Sequence, residues 1–502
     1  MTIDTESVDP RAERRDRYHE GDVVVVGAGV FGCAIAYALA RQGRSVILLE
    51  RWMSEPDRIV GELLQPGGCI ALRKLGLGQC LEGIDAIPCY GYHVLFNGTD
   101  VVIPYPGLDD AGNVQVSNPQ ANGSAHSEKK FKRPEGRGFH HGRFIMQLRR
   151  ACAAHPNISI FETEVTATIK GDSGPEILGV ETRTADPVTG KKKPDCFFGQ
   201  LTIIADGYAS KFRKQYIGKT PVVKSKFYAL ELIDCPFPPE GYGHVVIGKA
   251  YPVLLYQIGT HETRALIDVP EKIPEASPEK GGVRGYIRNV VLPTLPKHVQ
   301  PSVEAALADG KIPKSMPNSY LPPTKQIQHP GVIVLGDAMN MRHPLTGGGM
   351  TVAFNDAVVL TELLEDIPNL GDYKAIHNAM REFHWRRKSL STIINTLAMA
   401  LYSLFAASDP QLTALKIGCF DYFQRGMTDE PVALMGGILH RPFTLASHFF
   451  TVAFLAIWLH ALEVMGGSVF GFLKLPIAII DGILILWRAC VVFLPVIYRE
   501  FQ

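Results

Sequence analysis

The chain has 502 residues, of which 46% are hydrophobic and 20% are charged. Its 51 lysine and arginine residues nearly balance its 50 aspartate and glutamate residues, so the formal net charge is +1. Such a chain has no global basic field with which to hold a nucleic acid. Its 9 cysteines form no CxxC pair and no cluster with histidine. We therefore expect reduced thiols and no metal site.

The first part of the chain predicts a polar tail followed by a βαβ unit. Residues 1–20 lack the apolar core of a cleaved signal peptide. Residues 23–26 are a β-branched run typical of a buried parallel strand, residues 31–41 have an apolar helical pattern, and residues 45–50 indicate a second strand. We therefore predict an α/β fold that opens as a doubly wound, Rossmann-like domain.

The turn between the first strand and the helix has the glycine spacing GxGxxG. Gly27 permits the tight turn, Gly29 lets the backbone approach a pyrophosphate, and Gly32 allows the helix to pack closely on the strand. Glu50, at the end of the second strand, can accept hydrogen bonds from ribose hydroxyls and would repel a 2′-phosphate. The motif thus indicates FAD or NAD rather than NADP, although Arg51 beside Glu50 weakens that exclusion. A glycine turn with an unrelated surface glutamate is the simpler alternative.

Two further strand ends carry an aspartate and a glycine. Asp206 and Gly207 follow the strand predicted at residues 201–205, and Asp337 follows the strand predicted at residues 332–335. Together with the glycine turn, these motifs resemble the flavoprotein hydroxylases of the para-hydroxybenzoate hydroxylase type. The resemblance implies that the second motif lies near the pyrophosphate of FAD and that Asp337 bonds the ribityl chain. A helix that starts just after Gly347 would direct its dipole at the flavin and stabilise the anionic reduced form.

Three longer stretches resemble squalene epoxidase (squalene monooxygenase). They are RIVGELLQPGG at residues 58–68, HHGRF at residues 140–144 and GDAMNMRHPLTGGGM at residues 336–350. The resemblance extends from about residue 21 to the C-terminus, and the segment at residues 108–137 is more like that of fungal members. Leu63 departs from a phenylalanine found in some members, and that contact is the least secure. With the motif residues included, the implied FAD-binding set is Gly27, Gly29, Val30, Phe31, Gly32, Glu50, Arg51, Arg58, Leu63, Arg149, Val165, Asp206, Gly207, Asp337, Gly347 and Met350.

Two residues are candidates for a role near the reacting groups. Tyr92 matches a tyrosine that is important to activity in the family, and we expect it to orient the reacting end directly or through Gln65. Tyr92 could instead be an ordinary half-buried aromatic residue. Arg149 could cap a helix or pair with an acid, and Val165 could be a packing residue. His343 could be a base, but a structural hydrogen-bonding role fits it at least as well.

The resemblance implies a specific reaction. Squalene would be epoxidised to (S)-2,3-epoxysqualene by dioxygen through a C4a-hydroperoxyflavin, in sterol and specifically ergosterol biosynthesis. The cofactor supplies this chemistry, so we expect no catalytic triad. Electrons would come from NADPH through a separate microsomal flavoprotein reductase. One alternative is a flavin-dependent hydroxylase or reductase of another polyprenyl or aromatic substrate, and another is a prenyl-binding chaperone without enzymatic activity.

Composition along the chain predicts a division into segments. The proline-rich turns and strand-like runs between residues 216 and 325 indicate a sheet-based substrate domain. The basic run at residues 129–133 favours a solvated surface over a phosphate-binding patch. The apolar helix predicted at residues 392–405 could line the substrate pocket or could be an ordinary core helix. The predicted segments are a polar tail (1–20), an FAD-binding domain in three parts (21–107, 138–215 and 326–366), a surface insertion (108–137), the substrate domain (216–325), a helical region (367–440) and C-terminal membrane-anchoring helices (441–502).

The C-terminal region contains two apolar segments. Residues 443–465 are long enough to span a bilayer, which needs about 20 residues. Within the second segment, Lys474, Asp481 and Arg488 recur every seven residues and form one polar stripe on a helix. Such a stripe favours lying in the membrane interface or packing on the catalytic part over crossing lipid alone. We predict monotopic insertion at the cytosolic face of the endoplasmic reticulum membrane, with lipid droplets as a second location.

Overall fold

The computed structural model describes residues 9–109, 112–115, 133–172, 174–186, 189–248, 251–308, 310, 312–326, 329–406, 409–466 and 471–501. Most of the predicted surface insertion, including all but Arg133 of its basic run, lies outside these residues. Part of the predicted N-terminal tail lies outside them as well. Within the described part of the tail, Pro10–Arg17 form a helix that packs on the first domain: its Arg15 is buried and donates to Ser45 Oγ at 3.1 Å.

Strands and helices alternate in the first two thirds of the described chain, and helices alone follow. The strands are β1 Glu20–Val26, β2 Val46–Glu50, β3 Leu63–Leu64, β4 Ile87–Cys89, β5 Gly91–Phe96, β6 Thr99–Pro104, β7 Gly136–Gly138, β8 Ile158–Glu162, β9 Glu164–Lys170, β10 Ile177–Ala185, β11 Lys192–Ile204, β12 Val222–Ile233, β13 Tyr242–Ile247, β14 Val253–Gln257, β15 Glu262–Val269, β16 Lys314–Tyr320 and β17 Val332–Val334. The α-helices are α1 Pro10–Arg17, α2 Val30–Arg41, α3 Pro66–Lys74, α4 His141–Ala153, α5 Arg213–Tyr216, α6 Gly282–Tyr286, α7 Gln300–Leu307, α8 Gly349–Glu365, α9 Tyr373–Arg386, α10 Lys388–Phe405, α11 Pro410–Gln424, α12 Asp429–Met435, α13 Pro442–Met465 and α14 Leu475–Glu500.

The first sheet has a parallel core in the order β8-β2-β1-β11-β17, and β10 and β9 extend it in antiparallel fashion from the first half of β11. Its central strands are continuous runs of valine, isoleucine and leucine because both faces are covered, by α2, α4 and α8 among others. The chain leaves β1 in one direction toward β2 and β8 and later returns on the other side through β11 and β17. The predicted doubly wound α/β class is therefore confirmed.

The second sheet has the order β16-β12-β15-β14-β13-β5-β6. It carries the strands predicted between residues 216 and 325 and forms the sheet-based second domain. It also includes β5 and β6, which the sequence-based division placed in the first FAD-binding segment. β5 joins through a parallel pairing with β13, in which Tyr92 lies opposite Gly243. Parallel pairings join segments far apart in the chain, so no local pattern reveals them.

A small sheet, β3-β7-β4, links the two larger ones. Its strand β7 begins inside the segment predicted as a surface insertion, where Gly136 pairs with Cys89. Glycine is needed at Gly138 because a Cβ atom there would lie 2.0 Å from the Gln257 carbonyl oxygen of the second sheet. The two domains therefore approach each other closely at this strand, directly beside the central cleft.

The last third of the described chain is helical. Helix α10 extends the predicted helix at its N-terminal end, and its side chains Leu401, Tyr402 and Phe405 pack on the apolar face of the second sheet. Two segments, Pro442–Met465 and Gly471–Glu500, are long and apolar enough to cross a membrane by length and composition. Both leave many apolar side chains exposed, which indicates membrane association.

Candidate flavin site in a cleft between two sheets

A cleft with a volume of about 230 Å³ opens at the carboxyl ends of β1, β11 and β17. In a doubly wound sheet the chain connections run in opposite directions from the strands at the switch point, here β1 and β11. A crevice therefore forms beyond those strand ends, and ligands bind there. The opposite side of the cleft is formed by the second sheet, so the two domains build it together.

The glycine turn closes one end of this cleft. Gly27 has a φ of +102°, and a Cβ atom there would lie 2.6 Å from the Ala205 carbonyl oxygen. A Cβ atom on Gly32 would lie 1.8 Å from the Gly27 carbonyl oxygen. Gly29, by contrast, faces open space and caps helix α2. The free N–H groups of that helix start therefore point into the cleft and provide an anion site.

Glu50 and Arg149 support this turn from behind. Glu50 Oε2 accepts a hydrogen bond from the Ala28 N–H at 2.8 Å and lies 3.5 Å from Arg149 Nη2. The buried Arg149 also donates from Nε to the Ala28 carbonyl at 3.0 Å. Arg149 thus pairs with an acid, and its contact with FAD stays a prediction. Arg51 is exposed and stacks on Trp52 at 3.9 Å, so it does not enter the cleft.

The second and third motifs are held together by a residue that the sequence analysis did not identify. Arg213 Nε donates to the Ala338 carbonyl at 2.9 Å. Its Nη2 donates to the carbonyls of Gly207, Tyr208 and Asp337 at 2.8–3.1 Å. Burial lowers the pKa of Arg213, and the backbone carbonyls take up its hydrogen-bonding capacity. The guanidinium thus fixes two strand ends that are far apart in the chain.

The polar side chains of these motifs converge on the cleft. Arg58 Nη2 lies 3.9 Å from Asp337 Oδ2, and both residues line the cleft. Asp206 is more deeply placed, accepts from the Lys211 N–H at 3.0 Å, and burial raises the pKa of its carboxyl group. Within the described part of the chain, Arg58 Nε and Asp206 Oδ1 are buried without a hydrogen-bond partner.

The segment before α8 forms the floor of the cleft. Gly347 has a φ of +62°, and Gly349, the first residue of the helix, faces open space. Arg342 lines the cleft and donates from Nη1 to the Gly349 carbonyl at 3.3 Å. Burial lowers the pKa of Arg342. The start of a 17-residue helix and a buried guanidinium therefore place positive potential at this floor.

Gln65 and Tyr92 are in direct contact, as the hypothesis of a joint role requires. The Tyr92 hydroxyl donates to Gln65 Oε1 at 2.7 Å, and Gln65 Nε2 donates to the Thr346 carbonyl at 2.8 Å. Tyr105, which the sequence analysis missed, donates to the same Gln65 oxygen at 2.6 Å. Burial raises the pKa of both tyrosines, so the hydroxyls stay protonated. Tyr92 lines the cleft, whereas Gln65 and Tyr105 lie behind it.

Two histidines near the cleft have structural contacts. His343 Nδ1 accepts from the Leu345 N–H at 3.2 Å, its Nε2 lies 3.2 Å from Ser225 Oγ, and its ring stacks on Tyr402. Burial lowers the pKa of His343, which does not line the cleft, so of its two possible roles the hydrogen-bonding one is observed. His141 lines the cleft, and burial lowers its pKa to about 3, which keeps the imidazole neutral.

The wall formed by the second sheet is apolar. Leu254, Tyr256 and Leu266 are buried and face the cleft, with Val245 partly buried beside them. A buried ion pair lies at its margin: Arg264 donates to both oxygens of Glu62, at 2.7 and 2.9 Å. Burial raises the pKa of Glu62, and the bidentate arginine counters that effect. Glu62 lies within the motif at residues 58–68, whereas no sequence motif identified Arg264.

The structure brings most of the predicted site residues together. Those that line the cleft are Gly29, Val30, Phe31, Arg58, Leu63, Tyr92, Gly207, Asp337, Gly347 and Met350. Those that lie directly behind the lining are Gly27, Gly32, Glu50, Gln65, Arg149 and Asp206. Two are not brought to the cleft: Arg51 is exposed, and Val165 is buried in β9 within the core of the first domain.

These residues fit FAD. The glycine turn offers backbone N–H groups and an unobstructed approach at Gly29 for a pyrophosphate. The buried groups without protein partners, Arg58 Nε and Asp206 Oδ1, are near the strand ends where such a cofactor lies. The described residues contain no group of histidine, cysteine and acidic side chains that could hold a metal ion.

Comparison with solved structures identifies the fold. A p-nitrophenol 4-monooxygenase from Pseudomonas putida aligns over 84% of this chain and 98% of its own, with a TM-score of 0.60 and 19% identity. A flavin-dependent brominase aligns over 86% of this chain and 98% of its own, with a TM-score of 0.63 and 14% identity. At these identities the comparison shows a shared fold.

Sequence comparison defines the family. Residues 22–54 match the FAD dependent oxidoreductase family, and residues 198–479 match the squalene epoxidase family. A squalene epoxidase of Gibberella zeae is 64% identical over 98% of this chain and 98% of its own. A squalene epoxidase of Aspergillus fumigatus is 51% identical over 98% of this chain and 96% of its own. The chain belongs to the squalene epoxidase family, and its cofactor is FAD.

Proposed function

We propose that the protein is an FAD-dependent monooxygenase that epoxidises squalene with dioxygen in sterol biosynthesis, of which the fungal form is ergosterol synthesis. The proposal depends on one observation: the three dinucleotide motifs lie at the same cleft, and they face its apolar wall. Squalene is a hydrocarbon, so only burial of apolar surface and shape can bind it. Leu254, Tyr256 and Leu266 supply such a surface opposite the cofactor-binding strand ends.

FAD, when bound, supplies the transfer of electrons to dioxygen and of one oxygen atom to the alkene. The chain binds its pyrophosphate through the start of α2, and the start of α8 places positive potential near the cleft floor. The apolar wall orients the alkene and excludes water, which would otherwise divert the oxygen to hydrogen peroxide. Binding the cofactor, orienting the alkene and excluding water require no change in the protonation state of Tyr92 or Gln65.

For Tyr92 and Gln65 we propose a positioning role at the boundary between the flavin and the alkene. The Tyr92 hydroxyl is committed to Gln65, which in turn holds the Thr346 carbonyl beside Gly347. The tyrosine therefore presents its ring to the cleft while its hydroxyl fixes the loop before α8. This arrangement supports action through Gln65 rather than direct contact of the hydroxyl with the alkene.

The tail supports attachment to a membrane surface, which we place at the cytosolic face of the endoplasmic reticulum, with lipid droplets as a second site. The polar stripe of α14 is partly directed at protein: Asp481 Oδ2 lies 3.2 Å from His460 Nε2, and Arg488 Nη2 lies 3.2 Å from Asp409 Oδ2. Elsewhere on their surfaces, the two tail helices expose large apolar side chains such as Trp458 and Trp487. These contacts favour helices that lie in the interface over helices surrounded by lipid.

This attachment predicts a specific effect of polar substitutions in the tail. Replacing Trp458 and Trp487 with serine should shift the protein from the membrane to the soluble fraction in a flotation assay. Trp385→Ser, at an exposed tryptophan outside the tail, is the matched control. Unchanged flotation of the double variant would contradict attachment through these side chains.

The reaction is tested by reconstitution. Purified full-length protein, squalene, FAD and NADPH should give epoxysqualene only when an NADPH-dependent microsomal flavoprotein reductase is added, because we propose that electrons arrive through that partner. Under ¹⁸O-labelled dioxygen the product should carry one labelled oxygen atom. Product formation without the reductase would disprove the partner, and the absence of labelled epoxide with a competent reductase would disprove the monooxygenase reaction.

A further inference from the structure

The last helix ends inside the catalytic part of the molecule. Glu500, in the final turn of α14, is completely buried. Its Oε1 accepts from Asn395 Nδ2 at 2.9 Å, and its Oε2 lies 3.7 Å from Lys388 Nζ. Lys388 also donates to the Glu500 backbone carbonyl. A helix that only anchored the chain in a membrane would not need a charged residue buried in protein at its end.

A chain of hydrogen bonds connects this carboxylate with the floor of the flavin cleft. Asn395 Nδ2 also lies 3.2 Å from Asn340 Oδ1, which accepts from Arg342 Nη2 at 2.9 Å. Arg342 in turn donates to the Gly349 carbonyl and lines the cleft. Every side chain in this series of hydrogen bonds is buried, so water does not compete for the hydrogen bonds.

Glu500 balances part of the buried positive charge around this series of hydrogen bonds. Three buried cations, Arg342, Arg387 and Lys388, lie in this region. Asp356 balances one of them through two hydrogen bonds from Arg387, at 2.9 and 2.6 Å. Glu500 is the second buried anion of the cluster and lies against Lys388, which would lack a buried anion without it. An unpaired buried charge is costly, so the cluster would rearrange or open to water.

We propose that Glu500 is a positioning residue for the flavin cleft, which acts through Asn395 and Asn340 to hold Arg342 and the start of α8 in place. The docked tail helix is then part of the cofactor site as well as a membrane element. The inference depends on FAD being held in the cleft and is independent of the identity of the oxidised substrate. It goes beyond the proposed function, in which the tail serves only for attachment.

The test uses full-length protein in detergent, stripped of FAD and titrated with FAD, with flavin fluorescence and visible circular dichroism as readouts. Glu500→Ala should raise the Kd for FAD about fivefold or more and alter the dichroism of the bound flavin. Glu500→Gln should have a smaller effect, because its amide oxygen still accepts from Asn395. Glu463→Ala, at an exposed carboxylate of the other tail helix, should leave both readouts unchanged.

A double-mutant cycle separates positioning from general destabilisation. If Glu500 acts through Arg342, Glu500→Ala should change the Kd for FAD by less than about twofold in an Arg342→Ala background. Equal effects in both backgrounds would overturn the proposal, as would a Glu500→Ala protein that binds FAD with the wild-type Kd. Should Glu500→Ala fail to fold, the same cycle run with Glu500→Gln decides between these outcomes.

Discussion

The two walls of the cleft are built by opposite means. The wall at the strand ends depends on side chains that are missing: Gly27, Gly29 and Gly32 let backbone atoms approach each other and the cofactor. The opposite wall depends on side chains that are present, such as Leu254 and Leu266 on the second sheet. A charged dinucleotide is recognised by backbone N–H groups and helix dipoles, whereas a hydrocarbon offers nothing but surface. A methyl group added to a glycine of the first wall should therefore impair folding or FAD binding. An exchange of one apolar side chain for another of similar volume on the second wall should leave activity largely intact.

The largest effect is expected at the most crowded glycine. Gly32→Ala places a methyl group 1.8 Å from the Gly27 carbonyl oxygen, so helix α2 and the turn must move apart. We expect the free energy of unfolding to fall by about 3 kcal/mol and FAD binding to be lost. Urea denaturation and flavin content measure these two effects. Gly171→Ala, whose Cβ atom would meet only ordinary contact distances, is the control, and equal stability of both variants would refute the crowding argument.

The second wall can be tested by introducing a charge. Val245 is partly buried and faces the cleft, so Val245→Asp should fold and bind FAD. Burying the carboxylate against a hydrocarbon should cost about 2 kcal/mol. That corresponds to a fall of about 30-fold in kcat/KM for squalene. Val245→Ile keeps the wall apolar and should retain most of the activity. A Val245→Asp enzyme with normal kcat/KM would show that squalene does not contact this wall.

A substitution at Gly29 should weaken FAD binding without affecting folding. It has an ordinary φ of −86°, and a Cβ atom there would meet no atom within 4 Å. Gly29→Ala should therefore fold with wild-type stability in the absence of FAD. Its Kd for FAD should rise at least about tenfold, because the methyl group occupies the approach of the pyrophosphate. Thermal unfolding with and without FAD measures both quantities, and an unchanged shift on adding FAD would contradict this placement of the pyrophosphate.

The two walls also differ in how far the sequence predicted them. The strand-end wall follows from local patterns: a β-branched strand, a glycine turn and an apolar helix adjacent in the chain gave the fold class and placed Gly27, Gly29, Gly32 and Glu50. The placement of Arg213 and Tyr105 depends on contacts between segments far apart, since Arg213 reaches Ala338 and Tyr105 reaches Gln65. No periodicity encodes such contacts.

The same limit explains the incomplete prediction of the second wall. β5 and β6 carry no local signal that assigns them to a particular sheet. β5 joins the second sheet through its pairing with β13, and β6 joins it through its pairing with β5. The pairing of β5 with β13 carries Tyr92 into the cleft. The resemblance to a family identified Tyr92 without this geometry, whereas Val165, identified in the same way, lies in the core of the first domain. The assignment of individual FAD contacts stays a prediction.

The smallest effect concerns the boundary between the two walls, where two tyrosine hydroxyls share one acceptor. Tyr92→Phe and Tyr105→Phe each remove one hydrogen bond to Gln65 Oε1, so each should cost about 1 kcal/mol of stability. Only Tyr92 lines the cleft. If its hydroxyl positions the Gln65–Thr346 contact for catalysis, Tyr92→Phe should lower kcat by up to about tenfold with FAD content unchanged. Tyr105→Phe should leave kcat within about twofold of the wild-type value, because Gln65 keeps the bond from Tyr92. Equal kcat values for the two variants would show that both hydroxyls only hold Gln65 in place. Tyr92 would then contribute only its ring to the cleft.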